Sequence, residues 1–274
     1  MHSIAIVGGG ILGTSTAYWL SSLYDIEISI LEKESTVAYH TSHRNTGVLH
    51  QPFYLNPRKK KIFARAARIS YEECWKKYAL EKGLPWKQVG TLEVATRDED
   101  VETLEAYNRW AVENGMDENE VELLSSDQVR GLEPNVDIKC NGAIHCKTDT
   151  AVNYGKFTRA IKEDAESHGV KFIPNSEVGH IKSDDTGIKV HIKGRSEPFQ
   201  YDFLINCAGG NSVDIAHMMG VGIEYNDLHF RGEYWVVDKK INLPSLNVYS
   251  VPKHHKYPFL DPHFIIRADG RCEV

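Results

Sequence analysis

With 274 residues, the chain is long enough for one large or two ordinary domains with a substantial buried core. Its 41% hydrophobic and 26% charged content is ordinary for a globular protein, and a net charge of −6 offers no basic face to nucleic acid. No apolar run approaches the roughly 20 residues of a transmembrane helix, and Ile4–Val7 meets glycines too early to be a secretory core, so a soluble cytoplasmic chain is expected. Peripheral membrane contact stays open through the basic stretch Arg58–Lys61. Cys74, Cys140, Cys146, Cys207 and Cys272 are scattered without a CxxC pair, which predicts reduced thiols and no metal site.

Ser3–Val7 is a short apolar run suited to a buried parallel strand, followed by glycines, a helix over 14–24 and a second strand over 27–31. Residues 33–57 read as a long polar loop, a length that usually signals function. Helical spacing then covers 58–80, a strand 90–96, a helix 98–114 capped by Asp98, a short helix 126–131 and a strand 142–146. An amphipathic helix is predicted over 153–168 with Gly169 ending it, then a strand over 171–173. The segments 177–183, 187–193 and 199–205 alternate as an antiparallel meander. A helix over 212–219 and strands over 229–238 and 247–251 complete the series.

The order implies an α/β chain (α+β overall), with a Rossmann-type domain interleaved with a mixed-sheet domain. The expected division is 1–80 and 151–222 for the dinucleotide-binding domain, and 81–150 and 223–274 for the substrate domain.

Gly8-x-Gly10-x-x-Gly13 follows a strand and opens a helix, which is the context a dinucleotide fingerprint requires. Gly8 serves the tight turn, Gly10 the close approach of a pyrophosphate and Gly13 the packing of helix on strand. The backbone of Ile11 and Leu12 at the helix start adds N–H groups and a partial positive charge. Glu32, at the end of the second strand, suits ribose hydroxyls and disfavours a 2′-phosphate, with Lys33 beside it. The fingerprint alone does not separate FAD from NAD.

His40-Thr41-Ser42-His43-Arg44-Asn45-Thr46-Gly47-Val48-Leu49-His50 resembles the loop after the second strand in D-amino-acid-oxidase-like FAD oxidoreductases, and within them the L-2-hydroxyglutarate dehydrogenase/oxidase branch. Asn206–Gly209, Phe230–Tyr234, Val248–Pro252 and Tyr257–Leu260 agree with that branch, so the resemblance runs over essentially the whole chain. His43 departs from the pattern, which has glycine or serine there.

The resemblance implies FAD as cofactor, on a domain of the glutathione-reductase-like type. It implies oxidation of a 2-hydroxy acid, L-2-hydroxyglutarate to 2-oxoglutarate, by hydride transfer to flavin. The electrons would pass on to oxygen, a quinone or an electron-transfer protein. Ser42, Arg44 and Asn45 offer groups for phosphate and flavin edges. Ala208 and Gly209 are expected against the cofactor and Val178 at the adenine, although a buried strand residue reads equally well at 178. His50 is the candidate base for the substrate hydroxyl. Arg231 is the candidate carboxylate fork, with Tyr234 adding a hydroxyl and a surface salt bridge as the rival role for the arginine. His254 and His255 read as a solvated loop.

Members of the branch run on beyond the equivalent of Val274, so a C-terminally truncated chain is expected. The alternatives are an amino-acid, amine or glycerol-3-phosphate oxidase of the same superfamily, and an inactive FAD-binding fragment.

Overall fold

The computed structural model describes residues 2–136, 139–253 and 261–274, so His254, His255 and Tyr257–Leu260 lie outside the described residues. Contacts divide the chain into two units, Met1–Asn45 with Tyr154–Gly232, and Thr46–Asn153 with Glu233–Val274. Each unit is built from two segments, and the first boundary falls at residue 45, where 80 was expected. Residues 46–80 belong to the second unit because Val48–Leu49 pairs with Thr150–Val152 and the Tyr71 hydroxyl meets that of Thr150 at 3.2 Å. The later boundaries fall at 153 and 232, against the expected 150 and 222.

In the first unit, Ser3–Val7 lies between Phe203–Asn206 and Glu27–Leu31, with Lys171–Ile173 beyond, all in parallel. A strand so short and apolar has to be covered on both faces. Ala5 and Val7 pack with Val178, Ile181, Val190 and Ile215, whereas Ile6 packs with Ala17, Ile30 and Ala165 from the helix side. The helices Ile11–Leu23 and Tyr154–Ser167 supply Ala17 and Ala165, small residues that permit close approach. Gly169 follows the second helix at φ +91°, the left-handed conformation that ends it.

The antiparallel meander runs Val178–Asp184, Gly187–Ile192 and Phe199–Tyr201. Its last arm was expected to reach residue 205, but the chain leaves it at Asp202. There the carboxylate accepts the Ser3 N–H at 2.7 Å and the Ser3 hydroxyl at 3.0 Å, steering Phe203–Asn206 into the parallel sheet.

The second unit holds a four-stranded sheet in the order Asn247–Ser250, Thr91–Val94, Ala143–Cys146, Val121–Leu124. A smaller sheet joins Val48–Leu49, Thr150–Val152 and Trp86–Gln88, and Ile265–Ile266 pairs with Cys272–Glu273. The expected loop at 33–57 therefore contains a strand, and also a 3₁₀ turn at Pro52–Tyr54. The helical stretch expected over 58–80 is Lys61–Ile69, a π turn at Ser70–Trp75, and Lys76–Glu81.

Helix Asp98–Glu113 is capped one residue earlier than expected, at Arg97, whose N–H donates to the Asp100 carboxylate at 3.0 Å. Over 229–238 no strand forms among the described residues; Val236 makes an isolated bridge to Glu273. Only Trp235–Val237 reaches the short strand Cys272–Glu273, through the backbone bonds of Trp235 with Val274 and of Val237 with Cys272, and Trp235 and Val236 stay exposed. No helix among the described residues is long and apolar enough to cross a membrane.

Candidate functional site

The glycine turn of the first unit is built so that two positions exclude any side chain. Gly8 has φ +108°, and a Cβ there would sit 2.3 Å from the Cys207 carbonyl oxygen. A Cβ on Gly13 would sit 1.9 Å from the Gly8 carbonyl oxygen, so the helix touches the strand only because the side chain is absent. Gly10 is different, since a Cβ there would meet only the Ser42 hydroxyl, at 3.0 Å. Helix Ile11–Leu23 begins at Gly10 with no side-chain cap, and the Ile11 N–H donates to the Ser42 hydroxyl at 2.9 Å. Its N-terminus therefore presents backbone donors and dipole to an anion.

A cavity of about 820 Å³ opens over this turn. It brings together Gly8, Gly10, Glu32, Lys33, Ser42, Val178, Ala208 and Gly209, residues that lie far apart in the sequence. Ile11, Leu12, Gly13, Arg44 and Asn45 do not line it. Arg44 instead covers the Tyr39 ring at 5.5 Å, and the Asn45 amide donates to the Thr41 carbonyl at 2.8 Å.

Glu32 does more than sequence reasoning assigned to it. Its carboxylate accepts the Gly9 N–H at 2.6 Å and the Glu34 N–H at 2.9 Å, clamping the glycine turn to the end of the second strand. Each oxygen keeps a lone pair for a ribose hydroxyl. Ser176, Lys193 and His217 also line the cavity and were missed, because each sits in an element with no motif of its own. The turn, the helix N-terminus, the acid and the cavity volume together fit a dinucleotide.

In the second unit, His50 has a partner that the sequence did not reveal. Its Nδ1 lies 2.6 Å from the carboxylate of Asp149, a fully buried residue. The same carboxylate accepts the Gln51 N–H at 2.6 Å, the Thr91 hydroxyl at 2.7 Å and the Cys146 thiol at 3.3 Å. Four donors use its full acceptor capacity and fix its orientation. The Asp149 carbonyl accepts the N–H groups of Val89 and Gly90, pinning the backbone as well.

With Nδ1–H given to Asp149, the neutral imidazole carries its lone pair on Nε2, which lies 3.4 Å from the Tyr249 hydroxyl. Burial disfavours the imidazolium, but the Asp149 charge and hydrogen bond outweigh it, so the His50 pKa is raised. Tyr54 and Tyr249 pack edge-on to the His50 ring, with centroids 5.9 and 5.7 Å away. Burial, reinforced by Asp149 and Glu93, pushes the Tyr54 phenol up to about 12.

Strand alternation explains how this polar cluster forms inside a sheet. Thr91 and Glu93 point to one face, and their register partners Asn247 and Tyr249 share it. Leu92 and Val94 point the other way, into a core with Val129 and Ala143. Arg231 is exposed, and Tyr234 is half-exposed but close enough to Tyr249 to help raise its phenol. Neither lines the first cavity, nor the second, of about 720 Å³, beside Arg97, Lys139 and Val248.

Comparison with known proteins adds a family. The profile described as FAD dependent oxidoreductase matches residues 3–274. The mitochondrial L-2-hydroxyglutarate dehydrogenase of Pongo abelii is 30% identical, over 97% of this chain and 65% of its own length. The L-2-hydroxyglutarate dehydrogenase of Escherichia coli K12 is 31% identical, over 100% of this chain and 63% of its own. This chain thus spans a little under two thirds of the curated relatives it matches. Among solved structures, dithionite-reduced L-alpha-glycerophosphate oxidase from Mycoplasma pneumoniae, with FAD bound, superposes with a TM-score of 0.82. It is 26% identical and aligns over all of this chain and 71% of that one.

Proposed function

The chain belongs to the FAD-dependent oxidoreductase family, and on that premise we propose that it oxidises the secondary alcohol of a 2-hydroxy acid, L-2-hydroxyglutarate first, to the 2-oxo acid. The observation that carries this reading is the His50–Asp149 pair, a base with a fixed tautomer on a buried carboxylate. Removing hydrogen from an alcohol carbon requires the hydroxyl proton to go somewhere, and Nε2 of His50 is the acceptor. Asp149 does not take that proton. It holds the ring and stabilises the imidazolium that forms, as a buried carboxylate does behind a histidine base.

When bound, FAD supplies the acceptor for the two electrons and the α-hydrogen. In the first unit, Gly8, Gly10 and Ser42 would hold its diphosphate, Glu32 its ribose, and Val178, Ala208 and Gly209 its flanks. Arg231 and Tyr234 remain the candidates for the far carboxylate of a dicarboxylic substrate, and the electrons leave to oxygen, a quinone or an electron-transfer protein. The names of the Pongo and Escherichia coli relatives support the 2-hydroxy acid. A second reading, glycerol 3-phosphate, is favoured by the Mycoplasma structure and offers the same kind of alcohol.

Anaerobic addition of each compound to the FAD-loaded protein separates the readings. Bleaching of the flavin spectrum by L-2-hydroxyglutarate, and not by glycerol 3-phosphate, is the expected result. Bleaching by glycerol 3-phosphate alone assigns the second reading, and bleaching by neither defeats both.

A further inference from the structure

Glu93 is an acid placed where an acid is costly. It sits mid-strand in Thr91–Val94, between Tyr249 on one neighbouring strand and Ile144 on the other, and its exposure is only 9%. Among the described residues its carboxyl has neither a hydrogen-bond nor an ion-pair partner. The fully buried side-chain atoms without a partner among the described residues are Ser15 Oγ and Gln51 Nε2, so the Glu93 carboxyl keeps an open side through which a ligand can reach it. Every other polar side chain noted on this face is committed: Thr91 to Asp149, Asn247 to Thr91 and Ile266, and Tyr249 to His50.

We propose that Glu93 is a substrate-binding residue of the His50 site, its carboxylic acid donating a hydrogen bond to the carboxylate of the bound 2-hydroxy acid. The assignment deepens the oxidation reading and rests on it for the identity of the ligand. A neutral acid suits the task, because it donates to an anion without adding negative charge beside Asp149. Ionised, it would be a second carboxylate facing the same substrate and would repel it.

The groups facing it are His50 and Tyr54 from the segment entering and forming the 3₁₀ turn, Tyr107 from helix Asp98–Glu113, Tyr249 from the adjacent strand, and Asp149. Burial raises the Glu93 pKa, His50 opposes and Asp149 reinforces, and the result is about 8. The acid form therefore prevails at neutral pH and is lost above it.

The test is calorimetric binding of 2-oxoglutarate, which this reaction does not oxidise further, to the FAD-loaded protein on either side of pH 8. In the wild type the Kd is expected to rise by up to roughly tenfold per pH unit above that point. Glu93→Gln keeps a donor and cannot ionise, so this limb should vanish while tight binding persists. Glu93→Leu loses the donor and should bind weakly throughout.

Because His50 also titrates, the comparison is repeated in a His50→Gln background. The limb should persist there, moved to higher pH by loss of the imidazolium, and disappear in His50→Gln/Glu93→Gln. An alkaline limb unchanged by Glu93→Gln overturns the assignment, as does 2-oxoglutarate failing to bind the wild type. If 2-oxoglutarate binding follows Glu93 but L-2-hydroxyglutarate never bleaches the flavin, the oxidation reading fails and the anion site stands. If bleaching occurs while binding ignores Glu93, the reverse holds.

Discussion

At Asp149 four donors converge on one carboxylate, and the consequence is read at His50. The base form of His50 appears only as pH rises through a pKa raised above 6.5, so the rate of flavin reduction should climb through that point. Asp149→Asn removes the charge that raises it. The climb should then begin at lower pH, with a slower plateau from a mis-set ring, which rapid-mixing rates across pH would show. His50→Gln should slow reduction by roughly 10²–10⁴-fold, with FAD retained.

Glu93 makes a separable prediction about stability. Its folded pKa, about 8, lies above the ordinary 4.5, so its contribution is intact below 4.5 and lost as pH rises towards 8. At pH 7 that costs at most about 3 kcal/mol. Glu93→Gln should therefore resist denaturant better than wild type at pH 7 and equally at pH 4, a comparison open to urea unfolding.

Among elements, the strand–turn–helix at the N-terminus is the one whose sequence and geometry agree most closely. Gly13→Ala would push a methyl into the Gly8 carbonyl, 1.9 Å away, and separate the helix from the strand. A loss of about 1–3 kcal/mol and of bound FAD is expected, measured by thermal melting and by the flavin content of the purified protein. Gly131→Ala is the control. It lies inside helix Ser126–Leu132 with nothing within 4 Å of its added carbon, and should stabilise by about 0.4–1 kcal/mol. The meander shows the limit of periodicity: Phe199–Ile205 alternates throughout, yet Asp202 hands its second half to another sheet through Ser3, 199 residues away.

For the whole molecule, the cavity over the glycine turn draws its lining from residues 7–42 and 176–218, all in the first unit. FAD binding the folded state alone should raise stability by about 2.7 kcal/mol at a hundredfold excess over Kd. The accompanying slowing of hydrogen exchange should include residues 7–42 and 176–218, and mass spectrometry of FAD-loaded and FAD-free protein would map it. Exchange that slows in neither segment would place the cofactor elsewhere.

Local chemistry was legible without a structure. Gly8, Gly10, Gly13 and Glu32 fall within some thirty contiguous residues, where turn, helix start and strand end are neighbours in sequence. The boundary at residue 45, the Asp149 partner of His50 and the face shared by Glu93 and Tyr249 were not legible. Asp149 lies 99 residues from His50, and Tyr249 lies 156 residues from Glu93 by count of position. Such pairings are set by strand register and by burial competing across the sheet, interactions that leave no periodic trace in either partner's own sequence.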